Sequence, residues 1–203
     1  MENVMYDLNK MNKKLKKYVD EGRFIHTQGV LYTSACLAMI HGENVLHAQV
    51  AGLLHDCAKC IPNDKKVKMC MKHGIEITTS ELENPFLLHA KLGVYVANKK
   101  YHIEDEGILS AIRYHTTGRA DMTLLEKIVF VADYIEPNRY KAKNLAEIRK
   151  MSFVDLDEAV YMILRDTLKY LRSNPNSIDM TTNSAYEHYK EIHEKKVSNQ
   201  EEN

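Results

Sequence analysis

Across its 203 residues the sequence has no apolar run of the roughly 18 residues that a membrane span needs. Its start, Met1-Glu2-Asn3, lacks the charged and apolar parts of a signal peptide, so the expectation is a cytoplasmic protein with no membrane partner. An excess of one charge is also missing, because 28 Lys and Arg are matched by 28 Asp and Glu. That balance argues against an extended nucleic-acid surface, which needs a broad basic field to hold phosphates. Cysteine is scarce: Cys36, Cys57, Cys60 and Cys70 fit such a compartment as reduced thiols rather than as a disulfide framework. Cys57 and Cys60 form one C-x-x-C, but a structural zinc site wants paired spacings and no second C-x-x-C exists. Alternating Val, Ile and Thr runs bounded by turn residues are absent, as are internal repeats and low-complexity tracts. Strands therefore have no signal, and the expected fold class is all-α.

What is present is helical periodicity over a length that suits one domain with a sizeable core. A first helix is expected over about Val4 to Asp20, with Met5, Leu8, Met11, Leu15 and Val19 on one face and Gly22 as its stop. A second begins near His26 and ends at Gly42. Asn44 caps a third that runs through Leu53 and Leu54 into His55-Asp56. Pro62 and Asn63 open a fourth that ends at Gly74, and Ile75 to Asn84 reads as loop. Further helices carry His89 after Pro85, Ile108 to His115, and Thr123 to Ile135. Beyond Tyr140 the chain is more polar, with an amphipathic helix from Leu156 to Leu171 and a last helix near Ala185 to Lys195. The domain is expected over residues 1–196, with its core at about 5–140 and a helical cover at about 141–196. Residues 197–203 are expected to be a disordered tail.

Six metal-ligand residues lie at or near ends of apolar helices: His26, His55, Asp56, His89, His115 and Asp133. A lone histidine on a helix is more often an ordinary core or surface residue than a ligand. Asp133, however, sits in Phe130-Val131-Ala132-Asp133-Tyr134-Ile135, where a buried carboxylate needs a cation or firm hydrogen bonds. One shared metal accounts for all six together. Lys59 follows His55-Asp56 by one turn, where its cation can face an anion held there.

The words Arg23-Phe24-x-His26-Thr27, Leu54-His55-Asp56-x-x-Lys59, His89-Ala90-x-x-Gly93, Ile112-x-x-His115-Thr116-Thr117-Gly118 and Ala132-Asp133-Tyr134-Ile135-Glu136-Pro137-x-Arg139 occur in this order. Together they resemble the YqeK family of bacterial HD-domain phosphohydrolases, which are symmetrical diadenosine-tetraphosphate hydrolases. The resemblance covers about residues 5 to 140. It implies an HD-domain helical bundle with additional C-terminal helices, and cleavage of diadenosine tetraphosphate (Ap4A) into two ADP by a metal-activated hydroxide. It further implies a transition metal, iron first, with His26, His55, Asp56 and Asp133 on one ion. His89 and His115 would hold a second ion, with Asp56 as the bridge. The donor types agree with iron and also with manganese, cobalt or zinc.

Asp56 and Lys59 are thus the expected catalytic residues. Lys59 and Arg139 are the expected partners of the substrate's phosphates, with Arg23 beside them and hydroxyls or a backbone N–H from Thr116, Thr117 and Gly118. Tyr134 or Tyr114 is a candidate for stacking on a base. The expected partners are a small dinucleotide substrate and a nucleoside diphosphate product, and a homodimer is compatible with the sequence. A guanosine polyphosphate or a deoxynucleotide is the alternative substrate, and a metal- and nucleotide-binding regulatory module the alternative class.

Overall fold

The computed structural model describes residues 6–172 and 179–201, and among these all regular structure is helical. The helices are α1 (Leu8–Leu15), α2 (Glu21–His41), α3 (Val45–Leu54), α4 (Asn63–Lys72), α5 (Thr79–Glu83), α6 (Leu88–Tyr101), α7 (Glu106–Tyr114), α8 (Leu124–Ile135), α9 (Leu145–Ser152), α10 (Leu156–Arg172) and α11 (Met180–Glu201). A 3-10 turn, Pro85–Leu87, leads into α6. The fold is the all-α bundle that the periodicity predicts.

Side-chain caps start most of the core helices. Asp20 accepts from the Arg23 amide at 2.8 Å and starts α2, Asn44 accepts from His47 and starts α3, and Asp105 accepts from Ile108 and starts α7. A capping box between Thr123 and Glu126 starts α8. α2 packs along both α3 and α8, α7 lies between α6 and α8, and α10 joins α8, α9 and α11. Leu37, Leu53, Leu88, Leu92, Ile108, Ile112 and Ile128 fill the interior without solvent exposure.

One glycine sets the closeness of α2 and α3. A Cβ on Gly52 would stand 2.9 Å from Ser34 Oγ and 3.2 Å from the Val30 carbonyl, so α2 and α3 approach as closely as they do only because no side chain intervenes. Beyond it, His55 at the end of α3 meets His26 in the second turn of α2.

The structure differs from the expectation at short or polar segments. α2 begins at Glu21 because Asp20 caps it, so His26 lies in the second turn and Gly22, expected as a stop, lies in the first. α1 is shorter than expected; past Leu15 the lysine-rich stretch leaves only Val19 packed against the core. Its first expected residues, Val4 and Met5, lie outside the described residues. The segment read as loop holds α5, begun by a capping box of Thr78 and Glu81. α9 was not expected; Leu145 and Ile148 bury into the core there, while Arg149 donates to the carbonyls of Ile135 at 2.9 Å and Glu136 at 2.8 Å. α11 starts earlier than Ala185 and stays helical to Glu201, into the stretch expected as tail.

Candidate metal centre

Histidines from four helices point one nitrogen each at the same carboxylate. His55, the C-cap of α3, donates from Nδ1 to the Gly52 carbonyl at 2.7 Å. His89, in the first turn of α6, donates to Phe86 O at 2.5 Å, and His115, the C-cap of α7, donates to Ile112 O at 2.7 Å. A carbonyl can only accept, so Nδ1 carries the proton in all three rings and a neutral ring leaves Nε2 as a lone pair. The fourth ring, His26, turns Nδ1 to Glu136 Oε1 at 3.1 Å.

All four Nε2 atoms surround Asp56, the residue that ends the α3 turn. His89 and His115 stand 3.2 Å and 3.5 Å from Oδ1, while His55 and His26 stand 3.4 Å and 3.8 Å from Oδ2. Asp133, near the end of α8, adds Oδ1 at 3.0 Å from His26 Nε2 and 3.8 Å from His55 Nε2. Two ligand triads result, His26-His55-Asp56 and Asp56-His89-His115, with the one carboxylate common to both. Every sequence-expected ligand is therefore in one place.

The donor set fits a metal. Burial pushes His89 down to about 4, so its ring is neutral near pH 7. Burial opposes the charges on Asp56 and Asp133 too, yet surrounding imidazoles, with Arg139 at Asp133, outweigh it and hold both carboxyls well below the usual range. The neutral His89 ring turns its Nε2 lone pair toward Asp56 Oδ1 at 3.2 Å, a contact that a cation held between the two atoms would make favourable. Asp56 Oδ1 is moreover a buried acceptor without a hydrogen-bond partner, which is costly unless something else satisfies it.

Glu136 is the residue that sequence reading missed. It is 1% exposed, and besides His26 it accepts from the Asn138 amide at 2.7 Å and Asn138 Nδ2 at 3.0 Å through Oε2. It thus locks the His26 ring from behind, the usual role of a carboxylate behind a ligating histidine. A Cβ on Gly29 would collide with the Glu136 carboxylate, so this small residue makes room for it. The available signal was a lone Glu between Ile135 and Pro137 at the end of an apolar helix.

The expected phosphate partners divide. Lys59 Nζ lies 3.1 Å from His89 Nε2 and 3.7 Å from Asp56 Oδ1, and Thr116 Oγ1 lies 2.9 Å from His115 Nε2. Arg23 Nη1 reaches Asp56 Oδ2 at 2.6 Å, and Arg139 Nη2 reaches Asp133 Oδ1 at 2.9 Å. These four border the ligands directly. Thr117 bonds to the Gly118 carbonyl and lines a separate cavity, and buried Gly118, at φ +63°, packs beneath Ala185 of α11 as a turn residue. A cavity of about 670 Å³ opens on the His26 and Asp133 side, with Arg23, Arg139, Ile25 and Tyr140 among its walls. The C-x-x-C takes no part: Cys57 is buried, its thiol pushed up to about 12 by burial, and Cys60 bonds Asp20 on the surface.

Comparison with known proteins agrees with this geometry. The family model for the HD domain matches residues 23–138. The symmetrical bis(5'-nucleosyl)-tetraphosphatase of Bacillus subtilis (strain 168) is 39% identical, over 77% of this chain and 83% of that protein. The protein of the same name from Halalkalibacterium halodurans is 36% identical, over 85% of this chain and 91% of that one. A crystal structure from Clostridium acetobutylicum, described as a predicted HD superfamily hydrolase involved in NAD metabolism, superposes with a TM-score of 0.88 at 37% identity, covering 93% of this chain and 99% of that one. With four imidazoles and two carboxylates gathered as an HD site requires, the chain belongs to the HD domain family and, within it, to the family of the symmetrical bis(5'-nucleosyl)-tetraphosphatases.

Proposed function

We propose that this protein hydrolyses diadenosine tetraphosphate at its central anhydride, giving two ADP, with iron held at the two triads. The observation that carries the reading is the division of Asp56, one oxygen toward His89 and His115 and the other toward His26 and His55. Four imidazoles and two carboxylates without a thiolate suit iron, and would accept manganese, cobalt or zinc. The chemistry that ions so held supply is a water ionised near neutral pH and Lewis-acid polarisation of a phosphoryl oxygen.

The chain's own residues do the rest. Glu136 holds His26 by Nδ1, and three backbone carbonyls hold His55, His89 and His115, so the ligand shell is aligned before substrate arrives. Lys59 and Thr116 donate into the shell from the His89 and His115 side, and Arg23 and Arg139 stand at the Asp56 and Asp133 side. A tetraphosphate seated across the ligands meets these cations at its non-bridging oxygens, where charge builds as the central bond breaks. Attack by water on an inner phosphorus breaks that phosphorus's bond to the central oxygen. One ADP leaves with the oxygen, and the attacked phosphorus becomes the end of the other.

Freshly purified protein should carry metal and convert Ap4A to ADP alone. AMP with ATP as products would overturn the symmetric reading, and metal-free protein that retains full activity would overturn the metal reading. Lys59→Ala should cut kcat/KM by about 10- to 1,000-fold while metal content stays at the wild-type level; loss of metal in that variant would contradict its phosphate role.

A further inference from the structure

α2 is apolar on its outer side as well as its inner one. The inner side packs along α3 and α8. Between Arg23 and Glu43 the sequence has no Asp, Glu, Lys or Arg, although 28% of the chain is charged, so the outer side has no charge to hold water. The residues that α2 exposes from Ile25 to Ile40 are Ile25, Tyr32, Cys36, Met39 and Ile40. Spacings of seven, four and three put Ile25, Tyr32, Cys36 and Met39 on one face, over about 21 Å. A helix that is apolar all round belongs in an interior, so this face calls for a cover that no described residue supplies.

The patch continues past the end of the helix. His41 donates from Nε2 to the Ser152 carbonyl at 2.7 Å, which sets the exposed Phe153 and Val154 beside the last turn of α2. Ile25, Tyr32, Met39, Ile40, Phe153 and Val154 together leave on the order of 700 Å² in water, above the ~300–600 Å² of a monomer's largest patch and near the ~800 Å² each partner gives to a standard interface. At its other end the stripe enters the wall of the cavity on the His26 and Asp133 side, where Ile25 stands with Gly22, Arg23 and Tyr140.

The stripe also matches itself. Ile25 and Met39 each lie seven positions from Tyr32, and Phe24 and Ile40 each lie eight. Two α2 helices laid antiparallel about Tyr32 therefore set Ile25 of each copy on Met39 of the other, with their dipoles opposed, the self-complementary contact of a two-fold pair. Lipid is a poorer cover, because Glu21 and Glu43 close the stripe where a helix lying on a membrane carries Lys or Arg.

We propose that this chain pairs with a second copy of itself through the outer face of α2, antiparallel about Tyr32, so that Phe153 and Val154 of each copy border the cavity beside His26 and Asp133 of the other. In that register His41 of one copy lies across from Arg23 of the other, and the residues bonded beside His41 reach the cavity mouth. The pairing stands without the hydrolase reading, whereas its effect on turnover rests on that reading.

Sedimentation of the wild-type protein over a concentration series should show a dimer. Tyr32→Asp sets two carboxylates against each other at the axis and should sediment as a monomer, with helicity and metal content as in wild type. Cys36, exposed in the single chain, should react with a thiol label at least about 5-fold more slowly in the pair than in the Tyr32→Asp monomer, the protection that comes with a water-excluding contact. Helices packed about 8–10 Å apart bring facing backbones within reach of a disulfide, so Tyr32→Cys should cross-link two copies on mild oxidation. A wild-type protein that is monomeric throughout, or a dimer that Tyr32→Asp leaves intact, overturns the pairing, and a wild-type monomer that binds phosphatidylglycerol vesicles overturns it in favour of a membrane. A Cys36–Cys36 link in the wild-type dimer overturns the antiparallel register. The monomeric variant is expected to raise KM for Ap4A about 3- to 10-fold, the size of one lost interface contact; an unchanged KM would remove the second copy from the cavity. Should Tyr32→Asp not fold, Met39→Asp carries the same comparison. Wild-type protein inactive on Ap4A would sink the hydrolase reading and leave the sedimentation and cross-linking results standing.

Discussion

At the scale of single residues, Asp56 and Glu136 test the metal centre from inside and from behind. Asp56→Ala removes the carboxylate common to both triads, so metal content and Ap4A hydrolysis should both vanish while circular dichroism keeps its helical signal. Glu136→Gln keeps the shape but weakens the grip on His26 Nδ1, and metal affinity is expected to fall about 10- to 100-fold in a chelator competition; unchanged affinity would remove Glu136 from the centre. Thiol labelling of the native protein should modify the exposed Cys36 and Cys60 and spare buried Cys57 and Cys70, and a Cys57–Cys60 disulfide would contradict it. The ligands were legible in sequence because each is a metal-binding type set against apolar neighbours. Glu136 was not, since its work depends on a ring 110 positions away and on the space that Gly29 leaves. Gly118 misled in the opposite sense: a glycine after His115-Thr116-Thr117 suggested an open backbone donor, whereas its left-handed turn is buried under α11.

At the scale of elements, α2, α3, α6, α7, α8 and α10 could be read from their apolar faces and capping residues, because burial and local hydrogen bonding agree there. α5 and α9 could not. Both are eight residues or shorter, too few for a periodic stripe, and α9 is held by Arg149 bonds to the α8 terminus that only the folded chain makes. The contact between α2 and α3 yields a stability prediction. Gly52→Ala forces a methyl against Ser34 and the α2 backbone and should destabilise by about 1–3 kcal/mol, read as a lower Tm. Because Gly52 O also anchors His55, metal affinity should fall in the same variant.

At the scale of the whole molecule, α11 closes the bundle through Ala185, Tyr189 and two clasps to the start of α10. Lys196 reaches Asp155 at 2.6 Å, and His193 reaches Glu158 at 2.8 Å. Burial opposes the charge on Asp155, but the Lys196 ammonium and the Glu158 amide outweigh it and lower its carboxyl below the ordinary range. A lowered native value stabilises the fold above the unfolded carboxyl's pKa of about 4, and the contribution disappears as pH falls through the native one. Asp155→Asn should therefore be less stable than wild type at pH 7, with the difference closing as the pH falls through the native carboxyl's lowered range, in urea unfolding at each pH. Metal should matter more widely: chelation is expected to lower Tm by roughly 5–10 °C where the ion is otherwise held at a hundred times its Kd.

The ligands run from His26 to Asp133 and come from helices whose order in space differs from their order in the chain. No stretch of the polypeptide shorter than that span contains the full set. A nascent chain released before its eighth helix, or a proteolytic fragment ending there, would expose histidines but could not cut nucleotides. The centre is thus complete only when residues as far apart in the chain as His26 and Asp133 have met, so a copy stopped short of α8 has no competence for the reaction.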